Sequence, residues 1–267
     1  MHDTPDGDLI QDLRLFAMAP SDRRTFLRGL LAAAVAPLVG CAGGSSTDDG
    51  QTVDTGPFTC AEVPTETAGP YPGDGSNGPN ILAESGVVRQ DITASLDGGG
   101  VAAGVPLRVR IRITDAGADC AALGSYAVYL WHADAQGRYS MYSSGVTDET
   151  YLRGVQEGDD EGWVVFDTIF PGCYDGRWPH IHFEVFRTLA SATSSSAKIA
   201  TSQLALPQAT CEVVYGDSRY PDSATNLGKV SLASDNVFSD GAEQQLPSVT
   251  GSNADGWVAE LTIAVSA

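Results

Sequence analysis

The chain predicts an all-β fold, a single domain built as an antiparallel-rich sandwich of two sheets. Three observations carry this. Residues 106–116, PLRVRIRITDA, alternate apolar Leu107, Val109, Ile111 and Ile113 with Arg108, Arg110 and Arg112, the period of a half-buried strand. At least five more segments rich in β-branched and aromatic residues follow, separated by Gly, Asp, Pro and Ser clusters. No segment shows a long helical period, so short strands joined by turns make up the architecture.

Taken in order, the 267 residues begin with a stretch unlike the rest. Residues 21–29, SDRRTFLRG, pair two arginines ahead of Phe26 and Leu27, and the apolar run LLAAAVAPLVG follows at residues 30–40. This resembles a twin-arginine export signal. Its apolar core is far short of the ~20 residues needed to span a bilayer and contains Pro37. The run ends in LVGC at residues 38–41, which resembles a bacterial lipoprotein box and makes Cys41 the expected lipidation site. Ordinary cleavage that leaves Cys41 unmodified is the alternative. We therefore divide the chain into a signal peptide at 1–40, a lipidated Cys41 with a flexible tether at 41–56, and the domain at 57–267. The tether, AGGSSTDDGQTVDTG after Cys41, has almost no apolar side chains. A flexible chain of that composition holds the domain on the order of 20 Å from the lipid.

Within the domain, YAVYLWHAD (126–134), GWVVFDTIF (162–170), HIHFEVF (180–186), KIATSQLAL (198–206) and WVAELTIAV (257–265) supply the remaining strands. Residues 190–198 form a polar loop inside the fold. Besides Cys41 there are Cys60, Cys120, Cys173 and Cys211. An even number in an exported domain points to two disulfides; of the three pairings open, Cys60 with Cys120 and Cys173 with Cys211 is the expected one. The formal charge is −19, and residues 41–267 hold 29 acidic against 11 basic groups. Such a surface repels nucleic acid and anionic lipid, so membrane contact is expected through the N-terminal lipid alone. Highly anionic substrates are disfavoured too, unless a local cation such as Arg177 offsets the field.

The densest chemistry lies in residues 171–183, PGCYDGRWPHIHF. His180 and His182 are two apart on a strand, so both imidazoles project from one face. Imidazole suits iron, copper, zinc and nickel, and the remaining ligands must decide. Glu184 shares the face, but at roughly 3.3 Å per residue it lies about 13 Å from His180. Tyr174, after a Pro-Gly turn signal, offers a phenol instead. A free phenol ionises near ~10, so ligation at neutral pH requires a strong Lewis acid, for which ferric iron serves better than zinc.

The run TIFPGCYDGRWPHIHF at residues 168–183 resembles the intradiol ring-cleavage dioxygenases, the catechol and protocatechuate type. Their pattern, a Pro-Gly-x-Tyr turn followed by Arg-x-x-His-x-His, is matched in order by Tyr174, Arg177, His180 and His182. WHADAQGRYSMYS at residues 131–143 resembles the strand that carries the family's other tyrosine ligand, placing it at Tyr139, with Tyr142 as its nearest rival. TETAGPYPG at residues 65–73 resembles the segment that lines the family's substrate pocket, through Pro70 and Tyr71. The short Tyr174-to-Arg177 spacing and the lack of a helical dimerisation segment resemble the exported, single-domain branch.

The resemblance implies an Fe(III) ion held by Tyr139, Tyr174, His180 and His182, and cleavage of a catechol-type ring by O2 to a muconate-type product. It makes Tyr174 the tyrosine that accepts a proton and Arg177 the group that stabilises charge on the ring. Tyr71, Pro70, Tyr142 and Trp178 are expected to contact substrate, although core packing is an equal reading for Trp178. The partners implied are a small aromatic diol and O2, with a homodimer open, on the periplasmic or extracellular face of the envelope. Two other readings stand beside it: a silent β-sandwich lipoprotein that binds a surface, and a zinc or copper site that completes the same His pair with loop carboxylates.

Overall fold

The computed structural model describes residues 60–267, so the expected signal peptide, the expected lipidation site Cys41 and the expected tether lie outside the described residues. Nine strands form two sheets: β1 (Pro106–Asp115), β2 (Ala121–Ala122), β3 (Ala127–Trp131), β4 (Arg153–Glu157), β5 (Trp163–Ile169), β6 (His180–Phe186), β7 (Lys198–Ala205), β8 (Ser248–Ser252) and β9 (Gly256–Val265). The first sheet runs β2-β1-β9-β8, with β5 also paired to β1. The second runs β4-β3-β6-β7. Only the β1–β9 pair among these is parallel, the antiparallel-rich arrangement that the sequence predicts.

The alternation in β1 does what the pattern requires. Leu107, Val109, Ile111 and Ile113 are buried against Val164, Phe166, Ala259, Leu261 and Ile263 of the same sheet and against Val128, Leu130, Ile181, Phe183 and Val185 of the other. The arginines on the outer face meet acids across the pleat, Arg108 with Asp167 and Arg110 with Glu260. Removing a large side chain such as Phe166 from this interior would cost about 3–5 kcal/mol.

The second sheet is buried on both faces, as the unbroken burial of β6 shows. Its inner face enters the sandwich core. Its outer face carries Tyr129, Trp131, His180, His182 and Glu184 and lies under the segments before β1 and between β3 and β4, with Ile81, Leu82, Val87 and Tyr139 packed on it. One cross-strand row on this face runs through all four strands: Arg153, Trp131, His182 and Gln203 are directly paired neighbours in β4, β3, β6 and β7. Directly opposed residues in antiparallel strands share a face, so this register alone brings the four side chains into line. Two short helices, α1 (Gln208–Val214) and α2 (Ser223–Leu227), close one end.

Cys60 and Cys120 form the expected disulfide. The second expected pair does not form: Cys173 and Cys211 are buried free thiols. The backbone of Cys173 is pinned by α2 instead, its N–H donating to Ser223 Oγ and its carbonyl accepting from Asn226 Nδ2. Its Sγ faces the Arg177 carbonyl, while Cys211 Sγ faces that of Leu206. Burial drives both thiols upward, Cys173 to about 12, which suppresses the thiolate that disulfide chemistry needs.

The Cys120→Ser variant should lose about 2–4 kcal/mol in a denaturant titration, the effect of opening a cross-link over a long loop. In the same protein Cys173 and Cys211 should react with a thiol reagent only after unfolding; reaction of either thiol in native protein would contradict their burial.

Candidate metal centre

Two loops bring the phenols together, and glycines allow it. After β3, Asp134 accepts from the N–H groups of Gln136 and Arg138 and from the Arg138 guanidinium, winding the chain back toward Tyr139. After β5, the Pro-Gly turn crosses this loop, where Gly172 N–H donates to the Asp134 carbonyl at 3.0 Å. A Cβ on Gly172 would stand 2.6 Å from the Ala135 carbonyl oxygen. Gly137, at φ +79°, would place a Cβ 2.9 Å from Tyr174 Cβ. Neither position tolerates a side chain, so both glycines of the tyrosine motifs serve close approach.

Four donor atoms then meet. Tyr139 Oη lies 3.4 Å from Tyr174 Oη and 3.3 Å from His180 Nε2. Tyr174 Oη is 3.2 Å from His180 Nε2, which is 3.1 Å from His182 Nε2. Donors about 2 Å from a shared ion stand about 3.3 Å apart when tetrahedrally disposed, so these separations suit a single metal. His180 Nδ1–H donates to the Trp178 carbonyl, which leaves Nε2 as the lone-pair nitrogen. His182 lies flat against Trp131, centroids 4.8 Å apart at 6°, and its buried Nδ1 has no hydrogen-bond partner. Burial, reinforced by neighbouring charge, holds both imidazoles well below their ordinary pKa and therefore neutral, the form that ligates. Burial also raises both phenols, while Arg177 works in the opposite direction on each. Among the described residues no three His, Cys, Asp or Glu side chains form a metal-binding group.

Arg177 turns inward, while the nearby Asp175 pairs with Lys229 at the surface. Arg177 is buried; Nε donates to Asp235 at 2.9 Å, Nη2 to Gln203 Oε1 at 2.7 Å, and Nη1 lies 3.5 Å from His180 Nε2. Asp235 also accepts from the N–H groups of Trp178, Val237 and Phe238. Neither Asp235 nor Gln203 belongs to a local motif. Gln203 had one readable signal, its place on a strand, whereas Asp235 lies in a loop between short helical turns and had none.

The expected substrate wall is only partly assembled as read. Tyr71 sits tilted between Tyr139 and Tyr142, with centroids 5.2 Å from each, and Gly69 lies against the His182 ring. Pro70 accepts from Asn77 Nδ2, fixing that segment, and Tyr142 Oη bridges the Gly73 N–H and the Asn77 carbonyl. Of the two readings for Trp178 the structure shows core packing: its indole packs with Ala205, Val237, Phe238 and Ala242, and Nε1 donates to the Leu206 carbonyl. It lies buried beside the start of β6. His132 is buried between the Ala133 carbonyl and Thr168 Oγ1, and burial depresses it to about 4. Glu184, remote from the donor cluster as its spacing predicts, pairs with Lys198.

Residues 77–201 match the family model described as Dioxygenase. The structure is similar to the intradiol ring-cleavage dioxygenase from Tetranychus urticae, with a TM-score of 0.61 and 23% identity over 78% of this chain and 95% of that one. The dioxygenase Tetur07g02040 gives a TM-score of 0.61 at 22% identity, covering 78% of this chain and 95% of its own. Comparison with curated protein sequences gives no match. In fold the chain is similar to the intradiol ring-cleavage dioxygenases, and the dioxygenase family model matches part of the same domain.

Glu66 sits on the wall segment, its Oε1 accepting from Gln245 Nε2. Burial, then Asp240, raise it to about 7, with Asp235 adding and Gln245 and Arg177 opposing. A carboxyl raised in the folded state holds a proton there that the unfolded chain has released. Stability from this group is therefore lost as pH climbs from about 4.5 toward 7. The melting temperature of Glu66→Gln should fall less than that of wild type between pH 5 and 7.5; parallel curves would rule this out.

Proposed function

We propose that the protein is an exported, non-haem ferric dioxygenase that opens a catechol-type ring between its two hydroxyl-bearing carbons, incorporating both atoms of O2 into a muconate-type diacid. The observation that carries this is the convergence of Tyr139, Tyr174, His180 and His182 on one point with Arg177 at its edge. When bound, Fe(III) supplies the Lewis acidity that ionises the diol and the redox partner for its reaction with O2.

The side chains divide the work by burial. Tyr139 is enclosed, whereas Tyr174 is only half-buried and sits on the turn nearest solvent. Tyr174 Oη is therefore the better atom to receive a substrate hydroxyl proton and swing away, while Tyr139 stays. His180 and His182 remain neutral donors, one tethered by a carbonyl and the other clamped under Trp131. The Arg177 guanidinium edge faces the donor cluster and stabilises negative charge that develops on the ring. Tyr71 and Tyr142 supply an aromatic wall against which a planar ring stacks.

Export is supported by the twin-arginine pattern, the LVGC box and the Cys60–Cys120 bridge, since disulfides persist in oxidising compartments. Lipidation at Cys41 would tether the domain to the envelope. In cells, Cys41→Ser should shift the protein from the membrane to the soluble fraction; an unchanged distribution would remove the anchor from this reading.

Protein loaded with ferric iron should bind one ion per chain and turn reddish-brown through tyrosinate-to-iron charge transfer. It should consume one O2 per catechol. Tyr174→Phe should shift that absorption band and cut turnover by at least about 100-fold, the scale of losing a proton-transfer group. A colourless protein that selects zinc, or an iron-loaded one that takes up no oxygen with any catechol, would overturn the assignment.

A further inference from the structure

Arg153 stands at one end of the row that runs through Trp131 and His182 to Gln203. It is fully buried, and among the described residues none of the ion pairs includes it. Its five N–H groups are nonetheless all spent. Nε donates to Ser140 Oγ at 3.0 Å, Nη1 to the Pro72 carbonyl at 2.8 Å and Tyr129 Oη at 3.1 Å, and Nη2 to the carbonyls of Tyr71 and Ser140, both at 3.0 Å. Burying a guanidinium without a carboxylate costs several kcal/mol before hydrogen bonds offset it. A planar fork of five donors is the one side chain that could satisfy these five acceptors together.

Four of the five acceptors belong to two segments far apart in sequence, 71–72 and 140, and the fifth, Tyr129 Oη, lies on β3. Tyr71 and Pro72 form the wall that packs on Tyr139, and Ser140 follows Tyr139 directly. The fit is close: Gly73, at φ +66°, would bring a Cβ within 2.8 Å of Nη1. The Tyr142 ring lies over the guanidinium at 5.4 Å.

We propose that Arg153 is a positioning residue for substrate: it clamps the 71–73 segment to the 139–142 loop and so fixes the spacing of Tyr71 and Tyr142 beside Tyr139. This rests on reading Tyr71, Tyr139 and Tyr142 as the walls of a catechol site. Arg153 acts through carbonyls and touches no reacting atom, so its loss weakens ring binding more than turnover. Lysine keeps the charge but not the fork, so it does not replace arginine here.

Two measurements test this on the full chain. Hydrogen exchange of metal-free Arg153→Lys should quicken about tenfold or more in peptides covering 69–75 and 139–146, with β6 unchanged, because only the clamped segments open locally. In iron-loaded protein, the KM for catechol should rise about tenfold while kcat stays within about threefold. Tyr129→Phe, a milder change that removes one acceptor of Nη1 and one donor to the Pro72 carbonyl, should quicken exchange at 69–75 alone; it decides the matter if the lysine variant does not fold. Exchange that is unchanged, or raised equally in every strand, would overturn the clamp, as would a fall in kcat at constant KM. A wild-type protein that consumes no catechol would instead defeat the functional reading, while the exchange data still judge the clamp.

Discussion

Crowding four lone-pair donors into a buried space is the constraint to which the rest of the outer sheet face answers. Two phenol oxygens and two imidazole nitrogens at 3.1–3.4 Å cannot all satisfy one another, and each loses water when enclosed. Desolvating a polar group without full compensation costs on the order of 1–3 kcal/mol. A shared cation converts that cost into a binding free energy. Until then the protein must hold the donors by other means, and it does so from every side: a carbonyl on His180, an indole on His182, and the crossing of two loops beneath the tyrosines.

Those supports explain why glycine appears where it does. The tyrosine loops touch at Gly137 and Gly172, and the Gly172 N–H to Asp134 carbonyl bond ties one to the other. A side chain at either glycine would push the phenols apart. Since donors share an ion only over a narrow range of separations, such a push acts on metal affinity before it acts on the fold. The Pro-Gly and Gly-x-Tyr signatures therefore record a packing requirement that the chemistry imposes.

Much of this was legible from the chain because its signals are local. Strand β1 declared itself by alternation, and β6 by His-x-His among aromatic and β-branched residues. The same logic failed for β4, RGVQE, and β8, SVTGS, which have too few apolar residues to show a period and are held by their neighbours. The Cys173–Cys211 pairing went astray because cysteine count is blind to which way a thiol points. Trp178 was ambiguous for a similar reason: it precedes a strand, and only the loop around Asp235 decides which side of the backbone its indole takes. Asp235, Gln203 and Arg153 went unread since their importance comes from register and long-range closure, not from spacing.

The two buried arginines on this face, 177 and 153, show how differently a guanidinium can be used. Arg177 is paired with Asp235, a carboxylate that itself accepts from three backbone N–H groups, so its charge is balanced on one edge while another edge remains turned toward the donor cluster. Balance of that kind lets a cation sit beside a metal site without repelling the ion more than it must. Arg153 has no such partner and faces carbonyl and hydroxyl oxygens instead, whose partial charges spread its field over two loops. The first arrangement tunes electrostatics at the donor cluster, and the second trades a charge for geometry.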